Sequence, residues 1–376
     1  MKSYLLIPFV LSASVSLPLF AQSSLSDNRL LGHVDSVVHK AASIYMQQPN
    51  TVGLSIGVYN KGLMYTYNYG EIKRGTSQLP TANTFYNIGS VAKTFVGVML
   101  AQAIIDKKAA LNDDIRSYLP GRYPNLTFKD QPIRLIHLAN HTSALPKLPK
   151  LYSAVVRDSL SKLDLVSQAN FYGRYNKDSL LSDMHSFRVD TLPGIRYSYN
   201  SSAMMVLSLL LEQVYQEPYE QLIANYLQTH LKMNDTKVQL TLNDIKRVAQ
   251  GYNASSEPQP YANLKGFYIG PSMNSTVSDM LKYIQANLAE QDQALKLSHQ
   301  TTWARSDGFS LGLGWMLESN NKEGHRIYHS GNTKIGYNTL CSMYPSQQVG
   351  VIIFVNETIS QDRLNELERA IIHSIN

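Results

Sequence analysis

Among its 376 residues the chain has one cysteine, Cys341. An internal disulfide is therefore excluded, and so is any metal or iron–sulfur site built from several cysteines. Charged residues make up only 16%, and no long lysine/arginine run occurs. The formal net charge of +6 is spread along the chain and gives no basic strip for a nucleic-acid backbone. No internal repeat, low-complexity linker or glycine-rich phosphate loop is present. What remains is the composition of an ordinary globular protein, 44% hydrophobic, and neither disordered, fibrous nor polytopic.

The one long apolar run is at the start. Lys2 precedes Leu5 to Phe20, and Ala21 stands before a polar Gln-Ser-Ser. This pattern reads as a secretory signal peptide over residues 1–21, with the mature protein from about Gln22 placed in a periplasm or outside the cell. Pro8 and Pro18, and the shortness of the run, argue against a stable membrane span. Cys341, in an apolar strand-like segment, reads as an inert buried residue.

Leu31, Val34, Val38, Ala41, Ala42 and Tyr45 recur at helical spacing, so residues 28–48 are expected to form an amphipathic helix. Leu54, Ile56 and Val58 then alternate, Asn60-Lys61-Gly62 supplies a turn, and Leu63 to Tyr69 resumes as a strand, which makes a hairpin. Near the other end, residues 325–329, 337–343 and 350–355 read as strands. A last helix carries Leu364, Leu367, Ile371 and Ile375 on one face. Mostly helical sequence lies between, including residues 203–216, which Pro218 stops. The expected fold class is α/β (α+β), an antiparallel sheet flanked by helices and built from both chain ends, with an inserted, mostly helical domain. The boundaries expected are 28–85 and 255–376 for the sheet subdomain and 86–254 for the helical one, within a single domain over 22–376.

Three short segments carry candidate chemistry. In the first, Ser90 opens an apolar helix and Lys93 follows three residues on, so hydroxyl and ammonium share a face. A helix N-terminus offers unpaired N–H groups to an oxyanion, and burial lowers a lysine's pKa until it can take a proton from serine. Ser-x-x-Lys alone arises often by chance, as a capping serine with a surface lysine. A lysine in the first turn of an otherwise apolar helix is costly, however, unless it has a task. The second segment, Pro193 to Ser201, places Tyr197 and Tyr199 before an apolar helix and alone reads as a turn and helix cap. The third, His329-Ser330-Gly331-Asn332, ends a strand, with a glycine that lets a ligand backbone approach its edge.

Taken in order, the three segments resemble the signature set of the penicillin-recognising serine hydrolases, the group of class C β-lactamases, serine D-Ala-D-Ala carboxypeptidases and related esterases. That set is Ser-x-x-Lys, then Tyr-x-Asn, then Lys-Thr-Gly or His-x-Gly. Leu135 to Pro146 (LIHLANHTSALP), Leu111 to Pro120, Leu231 to Thr236, Asn274 to Met280 and Gly312-Leu313-Gly314-Trp315 also look like family segments, so the resemblance spans nearly all the mature chain. It implies a β-lactamase/transpeptidase-like fold and no cofactor or metal. It also implies a peptide or small-molecule substrate, Ser90 as acylated nucleophile, Lys93 as its proton acceptor and Tyr199 as proton shuttle. The N–H groups of Ser90 and Asn332 would form the oxyanion hole. Ser201, His329, Ser330 and Gly331 would meet the substrate.

Two departures bear on activity. Ser201 stands at the asparagine position, unless Asn200 turns inward, and a hydroxyl has fewer hydrogen-bonding sites than an amide. His329 stands where relatives carry lysine; an ordinary histidine titrates near 6.5, so a charge there would fade across physiological pH. The expected activity is that of a D-Ala-D-Ala carboxypeptidase, D-stereospecific peptidase or esterase. A class C-like β-lactamase is the alternative enzyme, and a penicillin-binding sensor with negligible turnover is the alternative of another class. Gly-x-Ser-x-Gly is absent around Ser90. His137 and His141 have a zinc-helix spacing but lack the intervening Glu, and they read as structural.

Overall fold

The computed structural model describes residues 25–147, 153–261, 273–320, 324–333 and 335–375. The leader expected over residues 1–21, and Lys334, lie outside them. The N-terminal side supplies β1 (Gly53–Asn60) and β2 (Leu63–Gly70). Two small ladders follow, made by β3 (Tyr86–Asn87) with β6 (Asn274–Ser275) and by β4 (Thr127–Phe128) with β5 (Gln131–Pro132). The C-terminal side supplies β7 (Trp303–Ala304), β8 (Phe309–Leu311), β9 (Met316–Asn320), β10 (Gly324–Thr333), β11 (Tyr337–Tyr344) and β12 (Val349–Val355).

These eight longer-range partners form one antiparallel sheet in the order β2-β1-β12-β11-β10-β9-β8-β7. Because β12 sits between β1 and β11, the two ends of the chain are joined within the sheet, at its second and third strands. The fold is α+β, as expected, but the sheet is larger than the five strands read from the sequence. The hairpin steps β7, β8 and β9 extend it beyond β10.

Helix α1 (His33–Met46) and the C-terminal helix Gln361–Ile375 cover one face. Val38, Ala42 and Tyr45 from the first, and Leu364, Leu367 and Ile371 from the second, pack on Leu54, Ile56 and Val58. The other face of β1 is buried as well, under the helix Val277–Ala289. Gly57 explains how that helix comes so near. A Cβ there would lie 2.8 Å from Val277 Cγ1 and 2.9 Å from Leu281 Cγ, so only glycine fits under the helix. The apolar alternation of β1 thus marks one buried face, while small residues form the second.

Helix α2 (Ala92–Ile105) runs through the centre of the larger core. Its residues from Ala92 to Ala101 are all buried, with no polar stripe, as expected of a helix surrounded by protein. Gly97 lets the turn at Gly312–Trp315 press on it, since a Cβ there would stand 1.9 Å from Leu313 O. Gly314, at φ +74°, lies against the carbonyl of Lys93 and donates its N–H to Ala139 O at 3.0 Å. The start of α2 is therefore clamped between this turn and the segment after Leu135.

Candidate active site

A short 3₁₀ turn, Gly89–Val91, leads into α2 and carries Ser90 at a half-buried position. Gly89 has φ +51°, a left-handed conformation that favours glycine, and its N–H donates to Asn87 Oδ1 at 3.0 Å. One turn on, Lys93 Nζ lies 2.9 Å from Ser90 Oγ, within hydrogen-bond distance. The lysine is buried, and among the described residues no carboxylate contributes to its environment. Desolvation alone brings its pKa from the ordinary 10.5 down to about 7. At neutral pH a large fraction of Lys93 is an amine with a free lone pair beside a serine hydroxyl.

Tyr199 completes the group. Its hydroxyl hydrogen-bonds the Ser90 side chain, and Lys93 Nζ sits 5.3 Å from its ring centre. Burial pushes the phenol up to about 12, against the opposing pull of the Ser90 bond. It therefore keeps its proton through the neutral range.

Strand β10 closes the site from the sheet side. It pairs with β9 only through Tyr328, so among the described residues no strand pairs with the edge from His329 to Thr333 on that side, and the edge faces the Ser90 turn. The approach is close. A Cβ on Gly331 would lie 2.2 Å from Ile88 O and 3.1 Å from Ser90 N, and one on Gly89 would lie 3.0 Å from Asn332 N. The backbone nitrogens of Ser90 and Asn332 thus border the same crossing of chain. Ser330 is half-buried and Asn332 exposed along this edge.

His329 departs from expectation. Its ring is buried, and Nδ1–H donates to Ser330 O at 2.7 Å. Burial, reinforced by the nearby Lys93, depresses its pKa to about 3. The expected charge that fades near neutrality is therefore absent: His329 is neutral throughout, because Tyr199 and the surrounding core remove its hydration. The ratio of kcat/KM for a D-Ala-terminated peptide to that for a nitrophenyl ester should accordingly show no His329 step between about pH 5 and 8. His329→Gln, neutral at every pH, should give a ratio profile of the same shape. Steady-state kinetics on both substrates across that range tests this.

Asn200 is likewise accounted for. As the N-cap of the helix Ser201–Tyr215, it accepts from Ser202 N–H at 2.8 Å and donates Nδ2–H to Leu145 O at 2.6 Å. Its amide is buried in structural contacts, which leaves the half-buried Ser201 at the start of the helix.

His141 is the neighbour that motif reading passed over. Its ring lies 4.5 Å from that of Tyr199, and its Nδ1 accepts from Asn200 N–H at 3.3 Å, so Nε2 carries the proton. Burial, with Lys93 and His329 adding to it, holds its pKa at about 3. His137, four residues earlier, instead accepts at Nδ1 from Arg134 N–H at 3.2 Å. The two histidines serve separate local structures, and among the described residues no cluster of His, Cys, Asp or Glu is arranged to hold a metal. Cys341 is buried in β11 with its thiol pushed up to about 12, which makes it unreactive.

Comparison with known proteins agrees with this architecture. The Beta-lactamase family profile matches residues 38–374. A protein named Beta-lactamase from Pseudomonas fluorescens is 24% identical over 363 residues, covering 86% of this chain and 94% of its own. Protein flp from Staphylococcus aureus strain N315 is 25% identical over 345 residues, covering 87% of this chain and 64% of its own. Among solved structures, a Beta-Lactamase/D-Alanine Carboxypeptidase from Pseudomonas syringae superposes with a TM-score of 0.75 at 20% identity. That match covers 91% of this chain and 99% of the other, and it shows a shared fold.

Proposed function

The chain belongs to the Beta-lactamase family of serine hydrolases, and from that premise we propose that it is an exported enzyme that acylates on Ser90 and releases the acyl group to water. The observation that carries this reading is the 2.9 Å contact between Ser90 Oγ and a buried lysine whose pKa is brought down to about 7. In the proposed sequence, neutral Lys93 takes the Ser90 proton as Oγ attacks the substrate carbonyl. The N–H groups of Ser90 and Asn332 stabilise the oxyanion. Tyr199, protonated at neutral pH, delivers a proton to the departing group as the carbonyl bond to it breaks. Water then attacks the acyl carbon and gives its proton to the deprotonated Tyr199, and protonated Lys93 returns a proton to Ser90 Oγ as the bond between Oγ and the acyl group breaks. The apolar leader-like run over residues 1–21 supports export, and no helix among the described residues is long and apolar enough to cross a membrane.

Small esters and D-alanyl peptides are the favoured substrates. Ser201 at the family's asparagine position and a neutral His329 at its lysine position both weaken the grip expected on an acylamino group and a carboxylate, which β-lactams and D-alanyl peptides share, so simple esters are the substrates least affected. A β-lactamase is the second reading, favoured by the names of relatives such as that from Pseudomonas fluorescens. The test is a hydrolysis panel on the purified mature protein with a short nitrophenyl ester, a D-Ala-D-Ala peptide and a chromogenic cephalosporin. Turnover of ester or peptide above cephalosporin supports the first reading, and the reverse order supports the second. Long-lived labelling by a fluorescent penicillin, with no turnover of any of the three, would point to a sensor.

A further inference from the structure

Tyr197 is one of two tyrosines in the loop before the helix Ser201–Tyr215, and the reaction proposed above uses only the other. The loop runs alongside the segment that holds His141: Gly194 N–H donates to Thr142 O at 2.8 Å and Ser198 N–H to His141 O at 2.9 Å. Both tyrosines lie against the His141 ring, Tyr199 at 4.5 Å and Tyr197 at 6.4 Å between centroids. From Tyr197 the row of rings continues into the β7–β8 hairpin, to Trp303 at 6.0 Å and Phe309 at 5.4 Å. Trp303 Nε1–H donates to Ile195 O at 3.1 Å and so ties the hairpin to the loop.

Arg305 lies over Phe309 at 5.0 Å, but its charge is paired with Asp307 at 2.6 Å. All three rings remain partly open to solvent, and Ile195 beside them is 69% exposed. Two distant stretches of chain thus converge on a half-open apolar surface that is continuous with Tyr199. Large apolar groups grouped in water next to a reactive centre are expected where a ligand covers them.

We infer that Tyr197, Trp303 and Phe309 form a subsite for an aromatic leaving group. The inference rests on reading Tyr199 as the proton donor to the departing atom: a group leaving at Tyr199 and extending outward meets Tyr197 first and the hairpin rings next. It deepens the proposed function by naming the substrate class, esters or amides whose departing alcohol or amine carries an aryl body. A leaving group as small as D-alanine reaches no further than the start of this row.

The test uses the ethyl and benzyl esters of N-acetyl-D-alanine, which share an acyl group and have leaving alcohols of similar acidity. Wild-type kcat/KM should favour the benzyl ester by roughly 10–100-fold, the effect of burying one phenyl ring. The ratio should fall toward one in Trp303→Ala. It should stay high in Trp303→Phe, which keeps a ring but loses the N–H bond to Ile195. A wild-type ratio near one would overturn the inference. So would a ratio unmoved by Trp303→Ala, or one that collapses equally in Trp303→Phe.

A second arm needs no turnover. Ser90→Ala protein titrated with the benzyl ester should change its tryptophan emission, whereas the ethyl ester should not, and the change should vanish when Trp303→Phe is added. If neither ester is hydrolysed by the wild type, the reading of the protein as an esterase or peptidase fails. The emission titration then decides the subsite separately: a response confined to the benzyl ester upholds it, and no response overturns it.

Discussion

Ser90→Ala should lower kcat/KM on a short nitrophenyl ester by roughly 10⁴–10⁶-fold, the scale on which removal of an attacking serine acts in hydrolases of this kind. The fold should survive. The substitution deletes one oxygen at a half-buried position, in a turn whose geometry is set by Gly89 and by the approach of β10. Far-ultraviolet circular dichroism and the unfolding temperature should therefore stay close to wild type while turnover disappears. Retained hydrolysis in a correctly folded Ser90→Ala protein would remove Ser90 from the chemistry, and with it the roles given to Lys93, Tyr199 and Asn332.

The second large effect belongs to Lys93, and it has opposite signs for activity and stability. Lys93→Met should slow acylation by roughly 10²–10⁴-fold, the loss of a positioned general base. In the wild type, acylation at low substrate should rise with pH through an inflection near 7, where the buried ammonium loses its proton. The variant should lack that inflection.

For stability the sign follows from proton binding. The folded lysine releases its proton near pH 7, while the unfolded one holds its proton to an ordinary 10.5. Between those values the unfolded chain binds more protons, so this group makes the protein more stable as pH rises. Below pH 7 the fold holds a buried, charged lysine at full cost. Lys93→Met should therefore raise the unfolding temperature at pH 6, by roughly 1–2 °C for each kcal/mol recovered in a chain of this length, and by less at pH 9. Differential scanning calorimetry at the two pH values measures this. A variant destabilised equally at both would mean that Lys93 contributes packing rather than an unfavourable buried charge.

Much of this arrangement is legible in the sequence, because it depends on local pattern. The helical spacing of Val34, Val38, Ala42 and Tyr45 gives α1, and Leu364, Leu367 and Ile371 give the final helix. The absence of a polar stripe along α2 marks a buried helix, and that burial is what makes Lys93 unusual. Strands β7, β8 and β9 escape such reading because they are 2, 3 and 5 residues long. Alternation over so few positions cannot be told from loop, and their pairing is set by β10, on which they stack in turn. Gly57 escapes it as well, since its role appears only when the helix Val277–Ala289 lies across it.

The site follows the same division. Ser90 and Lys93 are three residues apart on one helix, so spacing alone brings them together. The state of His329 depends instead on Tyr199 and Lys93, which reach it from other segments. Motif position alone suggests a titrating charge; burial by those neighbours makes it a neutral ring. Asn200, the alternative to Ser201 at the asparagine position, shows how a polar side chain can be taken up by helix capping, which depends on where the helix begins rather than on composition. Tyr197 is conspicuous in the sequence as a second tyrosine, yet its partners Trp303 and Phe309 lie more than a hundred residues away, and only the folded chain joins them.

The central claim is that the acyl group is carried on Ser90. Intact-mass analysis of the wild-type protein quenched shortly after mixing with benzylpenicillin, followed by peptide mapping, tests it most directly. One equivalent of adduct is expected, on the peptide containing Ser90, and none in Ser90→Ala. An adduct mapping to any other residue, or one that persists in Ser90→Ala, would contradict the account.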